Sequence, residues 1–153
     1  MPGVDIWYFA FGSNMSTRRM KKAIGQWNDA RRAILRGYEA GFFSYSQQWG
    51  CGVLDLVERD GANVPGVAYL IDEERANVLD RYEGVPSIAR RLHVRVEAEG
   101  LGEVDAYTYV MVDRRKFVQP SNAYLDSLVS GLREWGYGER VEEILRKART
   151  PGS

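Results

Sequence analysis

The segment from Ile6 to Phe11 constrains the fold most, because it is a continuous apolar run of aromatic residues, one β-branched residue and alanine. Such a run is typical of a strand buried on both faces. It ends at Gly12-Ser13-Asn14, after which Ser16 or Thr17 can cap a short basic helix, Arg18 to Ile24. The sequence therefore predicts a buried strand that leads through a glycine-containing loop into a helix.

The rest of the chain alternates strand patterns with helical ones. Further strands are predicted at Ala33–Leu35, Phe42–Tyr45, Gly52–Glu58, Val67–Ile71, Leu92–Glu97 and Val104–Val112. Turns at 59–63 and 100–102 would join the last four into two hairpins. Helices are predicted from Asp72 to Gly84, from Ser121 or Asn122, and from Val141. About six strands and three or four helices, with sequential hairpins, indicate a mixed sheet or small barrel rather than a doubly wound sheet.

Composition narrows the class of protein. A chain of 153 residues that is 44% hydrophobic fits one globular domain, here residues 1–153. The 21 basic and 21 acidic residues balance, so we expect neither nucleic acid nor a membrane as partner. One cysteine, Cys51, cannot form an internal disulfide, and one histidine, His93, cannot make a metal cluster, so we expect neither thiolate nor zinc chemistry. Met1 to Asp5 lack the features of a signal peptide, and no apolar run approaches the ~20 residues that cross a bilayer, so the expected location is the cytoplasm.

The loop Gly12-Ser13-Asn14 is the first candidate for chemistry. A buried strand that ends at a loop before a helix collects unpaired backbone N–H groups at one place. Gly12 lets the backbone approach a ligand closely, and Ser13 and Asn14 add polar atoms. Such a group of donors suits a carboxylate or a developing oxyanion. The alternative, favoured by spacing alone, is a simple turn with a helix cap.

Glu83 is the second candidate. Ala76, Leu79 and Glu83 follow one another at helical spacing, so Glu83 falls on the buried stripe in the last turn before Gly84. Burial and the negative end of the helix dipole both disfavour its charge, and a carboxyl with a raised pKa makes a good proton shuttle. The alternative, equally favoured, is a glutamate at a frayed helix end that faces solvent or pairs with an arginine.

Other polar residues are better explained as structure. Tyr107 and Tyr109 share one strand face, and Tyr124 opens a helix, but buried tyrosines are usually core residues with one satisfied hydroxyl. His93 is expected on the polar face of its strand. The basic pairs are most simply solvated surface; they are Arg18-Arg19, Lys21-Lys22 and Arg90-Arg91.

Taken together, these features resemble the γ-glutamylcyclotransferase-like (AIG2-like and BtrG-like) family. The family signature Tyr-Phe-Ala-Tyr-Gly-Ser-Asn-(Leu/Met) is matched by Tyr8-Phe9-Ala10-Phe11-Gly12-Ser13-Asn14-Met15. Its central pattern is matched by Pro65-Gly66-Val67-Ala68-Tyr69 and by Leu79-Asp80-Arg81-Tyr82-Glu83-Gly84-Val85. The strand with Tyr109 and the helix start at Pro120-Ser121 also look like the family, so the resemblance extends from residue 7 to about 146.

The resemblance implies an α+β fold, a small mixed β-barrel with flanking helices and a cavity between the loop and the glutamate. It implies a cofactor-independent enzyme, classed as a transferase or lyase, that cyclises a γ-glutamyl group to 5-oxoproline and releases an amine or amino acid. By position, Glu83 would be catalytic. Substrate would be bound, in part through backbone groups, by Tyr8, Phe9, Ala10, Phe11, Gly12, Ser13, Asn14 and Tyr109. The expected partner is a small γ-glutamyl substrate, and the expected state a monomer or homodimer.

One departure from the family is Phe11, which stands where the family usually has tyrosine and removes a hydroxyl from the expected cavity. It puts the usual substrate preference in question but not the backbone donors. Two alternatives to the enzyme stay open at this point. One is a non-catalytic ligand-binding or interaction module that keeps the cavity, and the other is an unrelated structural domain.

Overall fold

In the computed structural model, which describes residues 4–149, five strands close into one barrel in the order β1-β3-β2-β4-β5. The strands are β1 (Ile6–Ala10), β2 (Asp29–Ser46), β3 (Cys51–Ile71), β4 (Ala89–Ala98) and β5 (Gly102–Met111). The helices are α1 (Thr17–Ile24), α2 (Glu73–Glu83), α3 (Asn122–Glu134) and α4 (Val141–Arg149). Of the residues behind the signal-peptide expectation, Met1 to Gly3 lie outside the described part.

The barrel is mixed, as predicted. Strand β1 pairs in parallel with β5, with Tyr8 opposite Tyr107, and every other neighbouring pair in the described residues is antiparallel. Closure of the barrel pairs β1 with β5, so neither strand is left as an unpaired edge of the sheet. Strand β1, from which the candidate loop emerges, therefore lies between β3 and β5. The α+β fold class is confirmed.

The predicted hairpin between residues 52–58 and 67–71 is wrong. Both segments belong to β3 and pair with β2. The two short strands predicted at 33–35 and 42–45 are likewise parts of one strand, β2. Asn63 lies opposite Arg36 and Glu58 opposite Tyr38, so residues 59–62 face only Gly37. The predicted turn is therefore a bulge within one strand. Gly37 and Gly61, with φ of 83° and 82°, supply the left-handed backbone that this bend requires.

The α2 helix and the β4–β5 hairpin form as predicted, because their signals are local. The Asp72 side chain accepts a hydrogen bond from the Arg75 N–H at 2.8 Å and so caps α2. Gly84 ends the helix in the left-handed conformation at φ 80°. Strands β4 and β5 pair in register from Ala89 opposite Met111 to Ala98 opposite Gly102.

The loop after β1 is held in place from the core. The Tyr69 hydroxyl shares its one hydrogen between the carbonyl oxygens of Asn14 and Met15, at 3.1 and 3.0 Å. The Trp135 indole N–H donates to the same Met15 carbonyl at 2.7 Å. On α3, Gly131 lies so close that an added Cβ would be 3.0 Å from the Met15 side chain. These contacts fix the loop between the barrel and α3.

No helix among residues 4–149 is both long enough and apolar enough to span a bilayer.

Candidate active site

A cavity of about 260 Å³ opens beside the loop after β1. Its walls come from this loop, the end of α2, the β2–β3 turn, β5 and the start of α3. Its buried end is formed by Tyr8, Asn14, Thr108, Tyr109 and Tyr124. Its exposed rim is formed by Gln47, Gln48, Arg81, Tyr82 and Ile88. A ligand would therefore have one end enclosed and the other near solvent.

Asn14 joins the two candidate features within this cavity. Its side chain is 6% exposed, and Nδ2 donates to Glu83 Oε1 at 3.1 Å and to Tyr8 Oη at 3.2 Å. An amide nitrogen carries two hydrogens, so one group can make both bonds. The loop and Glu83, which are 69 positions apart at this contact, therefore lie side by side.

Glu83 reaches the cavity because of its position on α2. Ala76 and Leu79 on the same stripe are fully buried, as predicted. Glu83 occupies the final position of the helix, and Gly84 turns the chain away immediately after it. The carboxyl therefore projects from the last turn into the cavity wall.

Burial raises the pKa of the Glu83 carboxyl above its ordinary value. The hydrogen bond from Asn14 and the positive charge of Arg19 act in the opposite direction and only partly offset burial. The predicted direction of the shift is thus confirmed. Burial, and then the negative charge of Glu83, hold the pKa of Tyr8 well above that of a free phenol, so Tyr8 is a neutral hydroxyl beside the carboxyl.

The loop presents its backbone donors as a group. Residues Ser13–Met15 form a single 3-10 turn, in which the Met15 N–H donates to the Gly12 carbonyl at 3.1 Å. Among residues 4–149, no protein acceptor takes a hydrogen bond from the N–H groups of Gly12, Ser13 and Asn14. They are the free donors of a helical first turn. An added Cβ on Gly12 would come within 3.2 Å of the Tyr124 hydroxyl oxygen, so glycine fits this place closely.

The predicted site residues divide into two groups. Those in the cavity wall are Tyr8, Phe11, Gly12, Ser13, Asn14, Glu83 and Tyr109. Phe9 and Ala10 are not in the wall; they are buried in β1, and the Phe9 carbonyl accepts a hydrogen bond from Thr108 Oγ1 at 2.7 Å. We expect direct substrate contact from the first group, and support of the loop from Phe9 and Ala10. Phe11 is 7% exposed and presents a ring without a hydroxyl at the wall.

Arg19 differs from the expectation that it lies on the solvated surface. It lines the cavity, its guanidinium carbon lies 4.4 Å from the centre of the Trp49 ring, and Nη2 donates to Tyr82 Oη at 3.4 Å. A signal was present, because Arg19 stands four residues before Ala23 and so adjoins the apolar stripe of α1. Trp49, in the β2–β3 turn, gave no such signal.

The raised pKa of Glu83 predicts how its replacement changes stability with pH. The folded protein binds this proton more tightly than the unfolded chain, so wild-type stability falls as pH rises from the ordinary glutamate pKa through the raised one. Glutamine cannot ionise. We therefore expect the free energy of unfolding of Glu83→Gln, relative to wild type, to increase as the pH rises from about 4, the ordinary glutamate pKa, toward neutrality. Urea unfolding across this range measures it.

Glu58→Gln is the control for that measurement, since Glu58 is exposed on β3. The free energy of unfolding of Glu58→Gln, relative to wild type, should stay nearly constant across the same pH range. If the free energy of unfolding of Glu83→Gln relative to wild type is equally constant, the pKa of Glu83 is not raised.

Comparison with known proteins gives a consistent result. The chain matches the family described as "Gamma-glutamyl cyclotransferase, AIG2-like" over residues 8–127. It is 30% identical over 145 residues to YkqA of Bacillus subtilis (strain 168), covering 92% of this chain and 51% of YkqA. It is 27% identical over 144 residues to gamma-glutamylcyclotransferase of Homo sapiens, covering 91% of this chain and 76% of the human protein. The chain thus spans about half the length of YkqA.

Solved structures agree with these matches. A gamma-glutamyl cyclotransferase structure superposes with a TM-score of 0.80 at 26% identity, covering 92% of this chain and 88% of that chain. The crystal structure of YkqA superposes with a TM-score of 0.83 at 29% identity, covering 96% of this chain and 55% of that chain. With the family match extending over most of its length, the chain belongs to the gamma-glutamyl cyclotransferase, AIG2-like family.

Proposed function

We propose that the protein is a γ-glutamyl cyclotransferase, which converts a γ-glutamyl amide into 5-oxoproline and a free amine or amino acid. The observation that carries the proposal is the contact of Glu83 with Asn14, which places a carboxyl of raised pKa beside the free N–H groups of residues 12–14. The reaction needs both parts, a group that moves protons and a set of donors for negative charge.

The proposed reaction uses the substrate's own α-amine as nucleophile. Glu83 takes a proton from the α-ammonium, and the free amine attacks the γ-carbonyl carbon to form the new C–N bond of a five-membered ring. The tetrahedral oxyanion then collapses, and the bond from the former carbonyl carbon to the leaving nitrogen breaks. Two protons leave the α-nitrogen and two reach the leaving nitrogen; Glu83 carries them one after the other, taking each from the α-nitrogen and passing it to the leaving nitrogen. No water is consumed.

The loop would stabilise the oxyanion or hold the glutamyl carboxylate. Backbone N–H groups fixed by Tyr69 and Trp135 need no rearrangement when negative charge develops, which is the condition for effective electrostatic catalysis. An enclosed wall also holds the glutamyl chain folded for ring closure.

The division of the cavity suggests how the substrate lies. Glu83 and the loop adjoin the buried end, so the γ-glutamyl group would occupy that end and the leaving amine the exposed rim. At about 260 Å³ the cavity is slightly smaller than the roughly 300–1,000 Å³ of sites for drug-sized ligands. This size favours γ-glutamyl conjugates of small amines or amino acids.

A panel of γ-glutamyl amides tests the proposal, with 5-oxoproline release as the readout. We expect release from at least one γ-glutamyl-amino acid or γ-glutamyl-amine. Stabilisation of the fold by these compounds without any release would instead indicate a non-catalytic binding module and overturn the proposal.

The charge of Arg19 should affect the acid limb of the pH–rate profile, where kcat/KM rises as Glu83 loses its proton. Its positive charge lowers the pKa of Glu83, and the proposed step needs Glu83 deprotonated. Arg19→Gln removes this charge and should move the acid limb of kcat/KM to higher pH. Arg18→Gln is the control, since Arg18 is an exposed neighbour on α1, and it should leave the limb in place. A limb that does not move in Arg19→Gln would contradict the role of this charge.

A further inference from the structure

Asp80 joins α2, β4 and β5 at the side of the cavity. Its Oδ1 accepts a hydrogen bond from the Tyr109 hydroxyl at 2.5 Å, and Arg91 Nε donates to the same oxygen at 2.9 Å. Arg91 Nη2 lies 2.8 Å from the other oxygen, Oδ2. The Arg91 guanidinium carbon is 4.5 Å from the centre of the Tyr107 ring. The carboxylate thus has a partner on each side.

The chemistry of this cluster decides which way the Tyr109 hydroxyl points. A carboxylate held by a guanidinium can only accept hydrogen bonds, so Tyr109 must donate its hydrogen to Asp80. The phenol oxygen is left with acceptor capacity alone. The Tyr107 hydroxyl, 3.4 Å away, can fill one of its two acceptor positions, so at least one remains.

Tyr109 also lies where a substrate would meet it. It is 8% exposed and lines the buried end of the cavity, with its ring centre 5.5 Å from that of Tyr8. Asp80 precedes Glu83 by three residues on α2, so both carboxyls belong to one helix face. The cavity wall therefore offers hydrogen-bond donors in the loop and an acceptor at Tyr109.

We propose that Tyr109 accepts a hydrogen bond from the α-ammonium of the γ-glutamyl group, and that Asp80, held by Arg91, is the positioning residue that sets this polarity. The inference rests on the proposed function. A γ-glutamyl group carries a carboxylate that accepts and an ammonium that donates, which matches the two sides of the wall. After the ammonium has lost a proton, one of the two N–H groups of the resulting amine can still donate a hydrogen bond to Tyr109. The nitrogen lone pair can then point at the γ-carbonyl carbon.

A matched pair of ligands isolates this contact. γ-Glutamyl-L-alanine and glutaryl-L-alanine differ only in the α-ammonium, which is a hydrogen in the second compound. Their binding is measured calorimetrically in a Glu83→Gln background, in which turnover is suppressed. Adding Tyr109→Phe should weaken γ-glutamyl-L-alanine about tenfold or more, because a hydrogen bond to a charged group is lost, and should change glutaryl-L-alanine less than about twofold.

Two further variants complete the test. Asp80→Asn can present an amide N–H to the Tyr109 oxygen and so occupy the acceptor; it should weaken γ-glutamyl-L-alanine several-fold more than glutaryl-L-alanine. Tyr107→Phe is the control, since Tyr107 is not in the cavity wall, and it should affect both ligands less than about twofold. Thermal unfolding verifies that each variant is folded.

Three results would each overturn the inference. Tyr109→Phe could weaken both ligands equally, or it could weaken neither. The Glu83→Gln protein could also fail to bind γ-glutamyl-L-alanine more tightly than glutaryl-L-alanine. The proposed function is judged separately, by 5-oxoproline release from the protein with Glu83 intact. If 5-oxoproline is released but Tyr109→Phe weakens both ligands alike, the proposed function stands and the role of Tyr109 is rejected. If Tyr109→Phe weakens only γ-glutamyl-L-alanine but no 5-oxoproline is released, the role of Tyr109 stands and the proposed function is rejected.

Discussion

Replacing Glu83 with glutamine should lower kcat for 5-oxoproline release by about 10²- to 10⁴-fold, the usual contribution of a positioned acid–base group. Glutamine keeps the side-chain length and an oxygen that can accept the Asn14 hydrogen bond, so the cavity wall should persist. What is lost is the ability to take and return a proton. Because binding of the glutamyl group relies on other wall residues as well, KM should change much less than kcat. Initial rates measured over a range of substrate concentrations separate the two parameters.

Glu73→Gln is the matched control for this experiment. Glu73 is an exposed glutamate in the first turn of the same helix, α2, and it should change kcat less than about twofold. If Glu83→Gln retained more than about a tenth of the wild-type kcat, Glu83 would not be the acid–base group. The cavity would then need another proton carrier.

Replacing Asp55 with alanine should destabilise the fold by about 3 kcal/mol or more, because several buried donors lose their acceptor at once. Asp55 is fully buried on β3. Its carboxylate accepts from Ser44 Oγ at 2.5 Å, from the Leu56 N–H at 2.9 Å and from the Met111 N–H at 3.3 Å. Arg114 Nη1 lies 3.5 Å from it. The residue thus ties β2 and the end of β5 to β3.

Urea unfolding of Asp55→Ala measures this loss, which would be a large part of the roughly 5–15 kcal/mol that holds a typical domain together. Asp113→Ala serves as control, because the Asp113 side chain is 69% exposed and, within residues 4–149, forms an ion pair only with Arg115, whose side chain is 51% exposed. The control should cost less than about 0.5 kcal/mol. A similar loss in the two variants would show that the buried network contributes little.

The differences between sequence and structure have a common cause. The bulge of β3 and the hairpin expected there share one sequence pattern, strand residues interrupted by Asp60 and Gly61. Local preferences do not distinguish them, since the choice depends on whether the second half of β3 pairs with its own first half or with β2. Strand β2, with 18 residues, is long enough to pair with both halves of β3, so the two halves form one strand and not a hairpin.

The candidate site shows the same limit. Spacing placed Glu83 on the buried stripe of α2 and predicted the raised pKa, because both depend on residues within one helix. The spacing of Arg19 to Ala23 places it beside the apolar stripe of α1, but its position in the cavity wall depends on where α1 packs. The hydrogen bond from Tyr109 to Asp80 crosses from β5 to α2, and no pattern in either element predicts it.

The sequence alone determined the elements whose signals lie within a few residues. These are the buried strand β1 with its loop, the α2 helix from its Asp72 cap to Gly84, and the β4–β5 hairpin. Helix caps, left-handed glycines and apolar periodicity act over one or two turns of chain, so they can be read without a fold. Only the tertiary structure decided how these elements meet. Barrel closure between β1 and β5, and the placing of Asn14 against Glu83, depend on surfaces far apart in the chain that match only once the barrel has formed.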